Sequence, residues 1–73
     1  MFRITHAGTA ATSGSVIDGQ VFNRIMVRAT VDAVVEIDGY SIAIDTDDTW
    51  VTFETIGNKF EIASGTVNYV VFG

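Results

Sequence analysis

The sequence predicts an all-β fold, a small antiparallel sandwich or barrel of six to eight short strands spanning residues 1–73. Three observations carry that expectation. Ten Val, eight Ile, nine Thr and eight aromatic residues suit a pleated, half-buried surface, whereas Leu is absent and Lys, Glu and Gln, which build amphipathic helices, are scarce. Period-two alternation of apolar and polar residues dominates the chain. Glycine turns break that alternation at intervals of about 8–12 residues, the spacing of short strands in a sandwich or barrel.

Residues 1–6 alternate, with Phe2, Ile4 and His6 on one face and Arg3 and Thr5 on the other, and read as a strand. Residues 7–15, AGTAATSGS, hold only small side chains. They bring too little apolar bulk to pack, so they read as a flexible loop or an arm that orders on a neighbour. Residues 16–18 form a short strand closed by Gly19, and residues 21–31 carry the longest alternation in the chain. The odd positions there (Val21, Asn23, Ile25, Val27, Ala29, Val31) make an apolar face. The even positions set Arg24 and Arg28 beside Phe22 and Met26, a mixture unusual for a fully solvated surface.

Residues 34–44 place two short strands around Asp38-Gly39, a β-hairpin whose two loop residues tolerate the positive φ of a type I′ turn. Pairing across that loop sets Ile37 opposite Tyr40 and Val35 opposite Ile42 as an apolar face, and turns Glu36 and Ser41 outward. Residues 45–49, DTDDT, are a polar turn. Residues 50–56 and 59–63 read as a second hairpin, with Gly57 supplying the first positive φ of a type II′ turn. After Ser64-Gly65, residues 66–72 close the chain as a strand with Val67, Tyr69 and Val71 on one face and Asn68, Val70 and Phe72 on the other. A strand apolar on both faces lies centrally in a sheet or under a partner.

A chain of this length buries only about 60–65% of its unfolded surface, and such a core rarely supplies more than about 3–5 kcal/mol. With no cysteine there is no disulfide to compensate, and with a single histidine, His6, no tetrahedral zinc site can be assembled. Association is the remaining device, and a hydrophobic fraction of 48% agrees with it. The net charge of −5 divides into +2 over residues 1–31 and −7 over residues 32–73. No basic stripe is present to neutralise phosphates, so nucleic acid is not expected as a partner. The asymmetry suits head-to-tail packing between copies, or serves solubility. No apolar run approaches the ~20 residues of a membrane-spanning helix and no signal peptide is visible, so the chain reads as soluble and unsecreted, with no membrane partner.

Few residues carry chemistry. Asp45, Asp47 and Asp48, with Asp38 and Glu54, offer oxygen ligands for calcium, but an EF-hand loop starting at Asp45 needs Gly and Glu where Trp50 and Ile56 stand. They read as turn residues, and no metal or cofactor is expected. His6, Ser13, Ser15 and Asp18 supply the residue types of a hydrolytic triad without a G-x-S-x-G elbow, and no catalytic residue is assigned. Gly8, Gly14 and Gly19 stand too far apart to cradle phosphate. Tyr40, Trp50, Tyr69 and Phe72 suit a sugar-stacking platform, although a chain this small must place most of its aromatics in the core. The candidate interface residues are Arg24, Met26, Arg28, Val70 and Phe72, from two segments whose second faces are too apolar for open solvent.

The Val/Ile/Thr-rich strands, the small-residue stretch 7–15, the closing segment GTVNYVVFG and the missing catalytic set together resemble the small all-β virion proteins of tailed bacteriophages, namely head decoration (cement) or tail accessory proteins. That resemblance implies a non-enzymatic structural protein of the virion, assembled in the host cytoplasm. It further implies contact with a major capsid or tail protein, many copies per particle, homo-oligomers and stabilisation against internal pressure. The alternative is a small carbohydrate- or receptor-binding β module using Trp50 and Tyr40, with calcium at residues 45–48.

Overall fold

A computed structural model describes residues 3–46 and 49–73. Alternation and Cβ branching resolve there into eight strands: β1 (Ile4–Thr12), β2 (Val16–Phe22), β3 (Arg24–Ala29), β4 (Ala33–Ile37), β5 (Tyr40–Ile44), β6 (Val51–Phe53), β7 (Gly57–Ser64) and β8 (Thr66–Phe72). They form two four-stranded sheets, ordered β1-β8-β3-β6 (sheet A) and β2-β7-β4-β5 (sheet B), and every pairing is antiparallel. The all-β class is therefore as the sequence predicts, with the two sheets meeting as a sandwich.

One face of each strand feeds a common core. Ile25, Val27, Ala29, Val67 and Val71 come from sheet A, and Ile17, Phe22, Ala33, Val35, Ile37, Ile44, Phe60 and Ile62 from sheet B. Tyr69 packs on this core from sheet A, with its ring centroid 5.4 Å from that of Phe60 and the two rings tilted by 57°. The hairpin of β4 and β5 has the expected register, Ile37↔Tyr40, Glu36↔Ser41 and Val35↔Ile42. Asp38 and Gly39 take φ of 50° and 87°, the two left-handed residues of a type I′ turn. The Asp38 carboxylate also accepts the backbone N–H groups of Asn58 and Lys59, tying the turn to β7.

Four expectations need correction. Residues 7–12 are strand: β1 runs through them and pairs with β8 as Ala7↔Val70, Gly8↔Tyr69 and Ala11↔Val67. Their smallness is a packing requirement, because the Tyr69 ring lies over Gly8 where any Cβ would stand. Only residues 13–15 turn, closed by a Ser15 N–H to Thr12 carbonyl bond. Second, of the alternation expected over residues 1–6, Phe2 lies outside the described residues and the remainder is broken by a bulge between Ile4 and His6. Ile4 pairs with Phe72 and His6 with Val71, so these two side chains part to opposite faces.

Third, the long alternation from residue 21 to 31 is two strands in different sheets. The chain leaves sheet B after Phe22 and enters sheet A at Arg24, and this step inverts the parity. Phe22 consequently points into the core while Arg24, Met26 and Arg28 do not, and Val21 and Val31 are exposed. Fourth, Gly57-Asn58 is no hairpin turn. Gly57 opens β7 in sheet B, whereas β6 belongs to sheet A. This glycine is demanded by close approach, since a Cβ there would stand 2.7 Å from Phe22 Cζ and 2.8 Å from Asp38 Oδ2.

Phe22 is sealed in the core and cannot yield, so Gly57→Ala is expected to destabilise the fold by about 1–3 kcal/mol. The thermal midpoint should fall by at least ~5 °C, measured by circular dichroism on heating.

Candidate functional site

The five residues selected from the sequence come from two strands distant in the chain, and the β3–β8 ladder joins them. Arg24 pairs with Phe72 and Met26 with Val70, while Arg28 pairs with Asn68. Directly paired residues of an antiparallel ladder share a face. Ile25, Val27, Val67 and Val71 occupy the inner face, so Arg24, Met26, Arg28, Val70 and Phe72 all belong to the outer face of sheet A. Each of the five is half-buried.

The register extends this face across all four strands. Ala7, Val70, Met26 and Thr52 form its middle row, from β1 through β8 and β3 to β6. Ile4, Phe72 and Arg24 form the row beside it, and Ile4 is 60% exposed. Arg24 is ion-paired with Glu54 just past the end of β6, and its guanidinium lies 5.9 Å from the centroid of the Phe72 ring. The aromatic ring and the ion pair fix the cation at the border of the apolar rows. On the third row the Asn68 side-chain oxygen accepts the N–H of Ala10, whose φ of 53° marks the second bulge of β1. Sequence parity finds Met26, Val70 and the arginines but misses Ile4, because nothing local announces the bulge that turns it outward.

The outer face of sheet B differs in chemistry. Its middle row is Val16, Glu61, Glu36 and Ser41, with Glu61 and Glu36 directly paired across β7 and β4. Asp18 pairs with Lys59 on the same face, and the Lys59 ammonium lies 3.9 Å from the Glu61 carboxylate. Two carboxylates opposite each other across a ladder repel.

The aromatic residues do not share a platform. Tyr69 faces the core, Phe72 lies on the outer face of sheet A, and Tyr40, 78% exposed, stands at the β5 edge. Between the β5 and β6 edges lies an open cleft of about 400 Å³, lined chiefly by Ile37, Tyr40, Ile42 and Phe53 with Thr52 and Glu54. His6 is half-buried on β1, with Nδ1 3.2 Å from Thr5 Oγ1. Of the acidic turn, Asp47 and Asp48 lie outside the described residues, and the calcium reading at residues 45–48 depends on them.

The connection leading to β6 is anchored by Asp32, between β3 and β4. Its carboxylate accepts the backbone N–H of Thr46 at 2.7 Å, and this bond, helped by the Thr46 hydroxyl, holds its pKa below the usual aspartate value. Comparison with protein-family models, with curated proteins and with solved structures finds no match for this chain.

A lowered folded-state pKa contributes stability above the unfolded value and loses it as pH falls through the folded one. Acidification below the ordinary aspartate range should therefore lower the thermal midpoint of the wild type. In Asp32→Asn the midpoint should start lower at neutral pH and fall less over the same acid titration, as read by circular dichroism.

Proposed function

We propose that this chain is a non-enzymatic structural protein that docks through the outer face of sheet A onto a larger protein assembly, in the manner of head decoration or tail accessory proteins of tailed bacteriophages. The partner is a major capsid or tail protein, and the role is to stabilise the particle. One observation carries this reading: Ile4, Met26, Val70 and Phe72 form adjoining apolar rows on an outward sheet face, bordered by Arg24 and Arg28. Apolar centre with arginine at the border is the usual anatomy of a protein–protein interface.

The mechanism follows from burial. Each copy removes apolar area on two neighbouring subunits from water, at about 25 cal/mol per Å² before the cost of association, and separating those subunits must re-expose it. The mode of contact is a face, not an added strand. β8, the closing segment, is already paired on both sides by β1 and β3, and the open edge of β1 is broken by two register shifts.

Mass spectrometry of purified particles from the source should find the 7.9 kDa chain at a fixed copy number. Val70→Asp should fold as the wild type does, within about 1 kcal/mol, because the side chain is only half-buried on an outer face. It should no longer co-sediment with particles stripped of the native chain. Undiminished co-sedimentation of this variant, or absence of the chain from every particle, overturns the reading.

A further inference from the structure

The sandwich is closed along one side and open along the other, and we infer that two copies of this chain pair through the open side, the Tyr40 ring of each entering the cleft between β5 and β6 of the other. The closed side is held by the turn from β1 to β2, where the Gly14 N–H donates to the Ile62 carbonyl of β7. On the open side β5 and β6 end their sheets, and among the described residues no strand lies beyond them. Register pairs Ile42 with Val35, Tyr40 with Ile37 and Phe53 with Ile25, all toward the interior, so the cleft of about 400 Å³ looks onto the flank of the core.

The lining of the cleft has two chemistries. Ile37, Ile42 and Phe53 make an apolar floor, whereas Thr52, Glu54 and Thr55 bring polar groups from β6 and from the crossing to β7. A ring with a hydroxyl at its tip satisfies both parts, the ring lying against the floor and the hydroxyl donating to a threonine oxygen or to the Glu54 carboxylate. Glu54, the one charged residue of the lining, is already ion-paired with Arg24, so a neutral phenol suits the cleft better than an ionic group that would need a counter-charge there.

The chain carries such a ring at the border of the cleft itself. Tyr69 is packed on the core, but Tyr40 lines the cleft and is still 78% exposed. Knob and hole therefore share one patch, and a patch that carries both is self-complementary, as a twofold contact requires. Trp50 and Ile56, exposed on the segments that flank β6, add apolar surface on the same strand connections. Two tyrosine rings bury about 150–250 Å² each, short of the roughly 800 Å² that a standard interface takes from each partner, so the dimer is weak and concentration-dependent. It does not rest on docking to a particle.

Sedimentation equilibrium on the full chain tests it, from about 10 µM to about 1 mM so as to bracket a Kd on the order of 100 µM. The monomer–dimer equilibrium should change less than about twofold between about 25 mM and about 500 mM NaCl, because apolar burial is not screened by salt. Tyr40→Ala should weaken it about 30-fold or more with an unchanged far-ultraviolet spectrum, and Tyr40→Phe, which loses only the hydroxyl, by about 3–10-fold. Thr55→Arg, at an exposed position of the lining, should also abolish the dimer by filling the cleft. Excess p-cresol, the tyrosine side chain alone, should dissociate the wild-type dimer and shift the amide resonances of Ile37, Ile42 and Phe53. Tyr40→Ala should still co-sediment with particles and Val70→Asp should still dimerise, which separates this inference from the preceding one. A wild type that stays monomeric over this range overturns the contact, and p-cresol binding to that monomer would mark the cleft as a small-molecule site instead. A dimer indifferent to both Tyr40→Ala and Thr55→Arg overturns it as well. If Tyr40→Ala misfolds, Thr55→Arg and p-cresol decide, a dimer that resists both being contrary to the inference.

Discussion

The register between β3 and β8 is the constraint on which the rest of the molecule depends. Ile25↔Val71 and Val27↔Tyr69 place four side chains of the central strands against sheet B. Because successive residues alternate faces, the same register commits Arg24, Met26, Val70 and Phe72 to the other side. A slip of β3 by one residue would send Ile25 and Val27 outward and bury Arg24, at the cost of desolvating a guanidinium. The core and the outer apolar face are thus one decision seen from two sides. Mutations that weaken the inner pairs act on both.

What the sequence discloses follows the range of the interaction. The β4–β5 hairpin is fixed by two adjacent residues with positive φ, and its register is readable from Asp38-Gly39 alone. The two-faced character of β3 and β8 is likewise local, being a matter of parity. What lies beyond reach is where the chain changes sheets. Nothing in residues 21–24 distinguishes one strand from two, yet the step at Asn23 turns Phe22 inward and Arg24 outward. Glycine misleads for the same reason: Gly57 looks like a turn residue, and only the distant Phe22 explains it. Residues 7–12 look like a linker because the bulk that makes them a strand belongs to Tyr69, some sixty positions later. The candidate face shows the same division, its residue types being legible segment by segment and the pairing of residue 24 with residue 72 only in three dimensions.

A sandwich with open sheets has four edge strands, and each unpaired edge is a template for another chain. Here every edge is interrupted or short. β1 carries two register shifts and β2 one, while β5 has five residues and β6 three. Bulges and brevity discourage a straight ladder from forming with a neighbour. The faces are treated in the opposite way. The outer side of sheet A keeps the exposed Ile4 and the half-buried Met26, Val70 and Phe72, and the outer side of sheet B keeps a repelling pair of glutamates. Guarded edges and apolar outer faces are what the proposed broadside docking requires. Broadside contact also fits the size of the chain: a core limited by length cannot absorb more apolar area, whereas a neighbour laid on the sheet can, without any change in the fold beneath it.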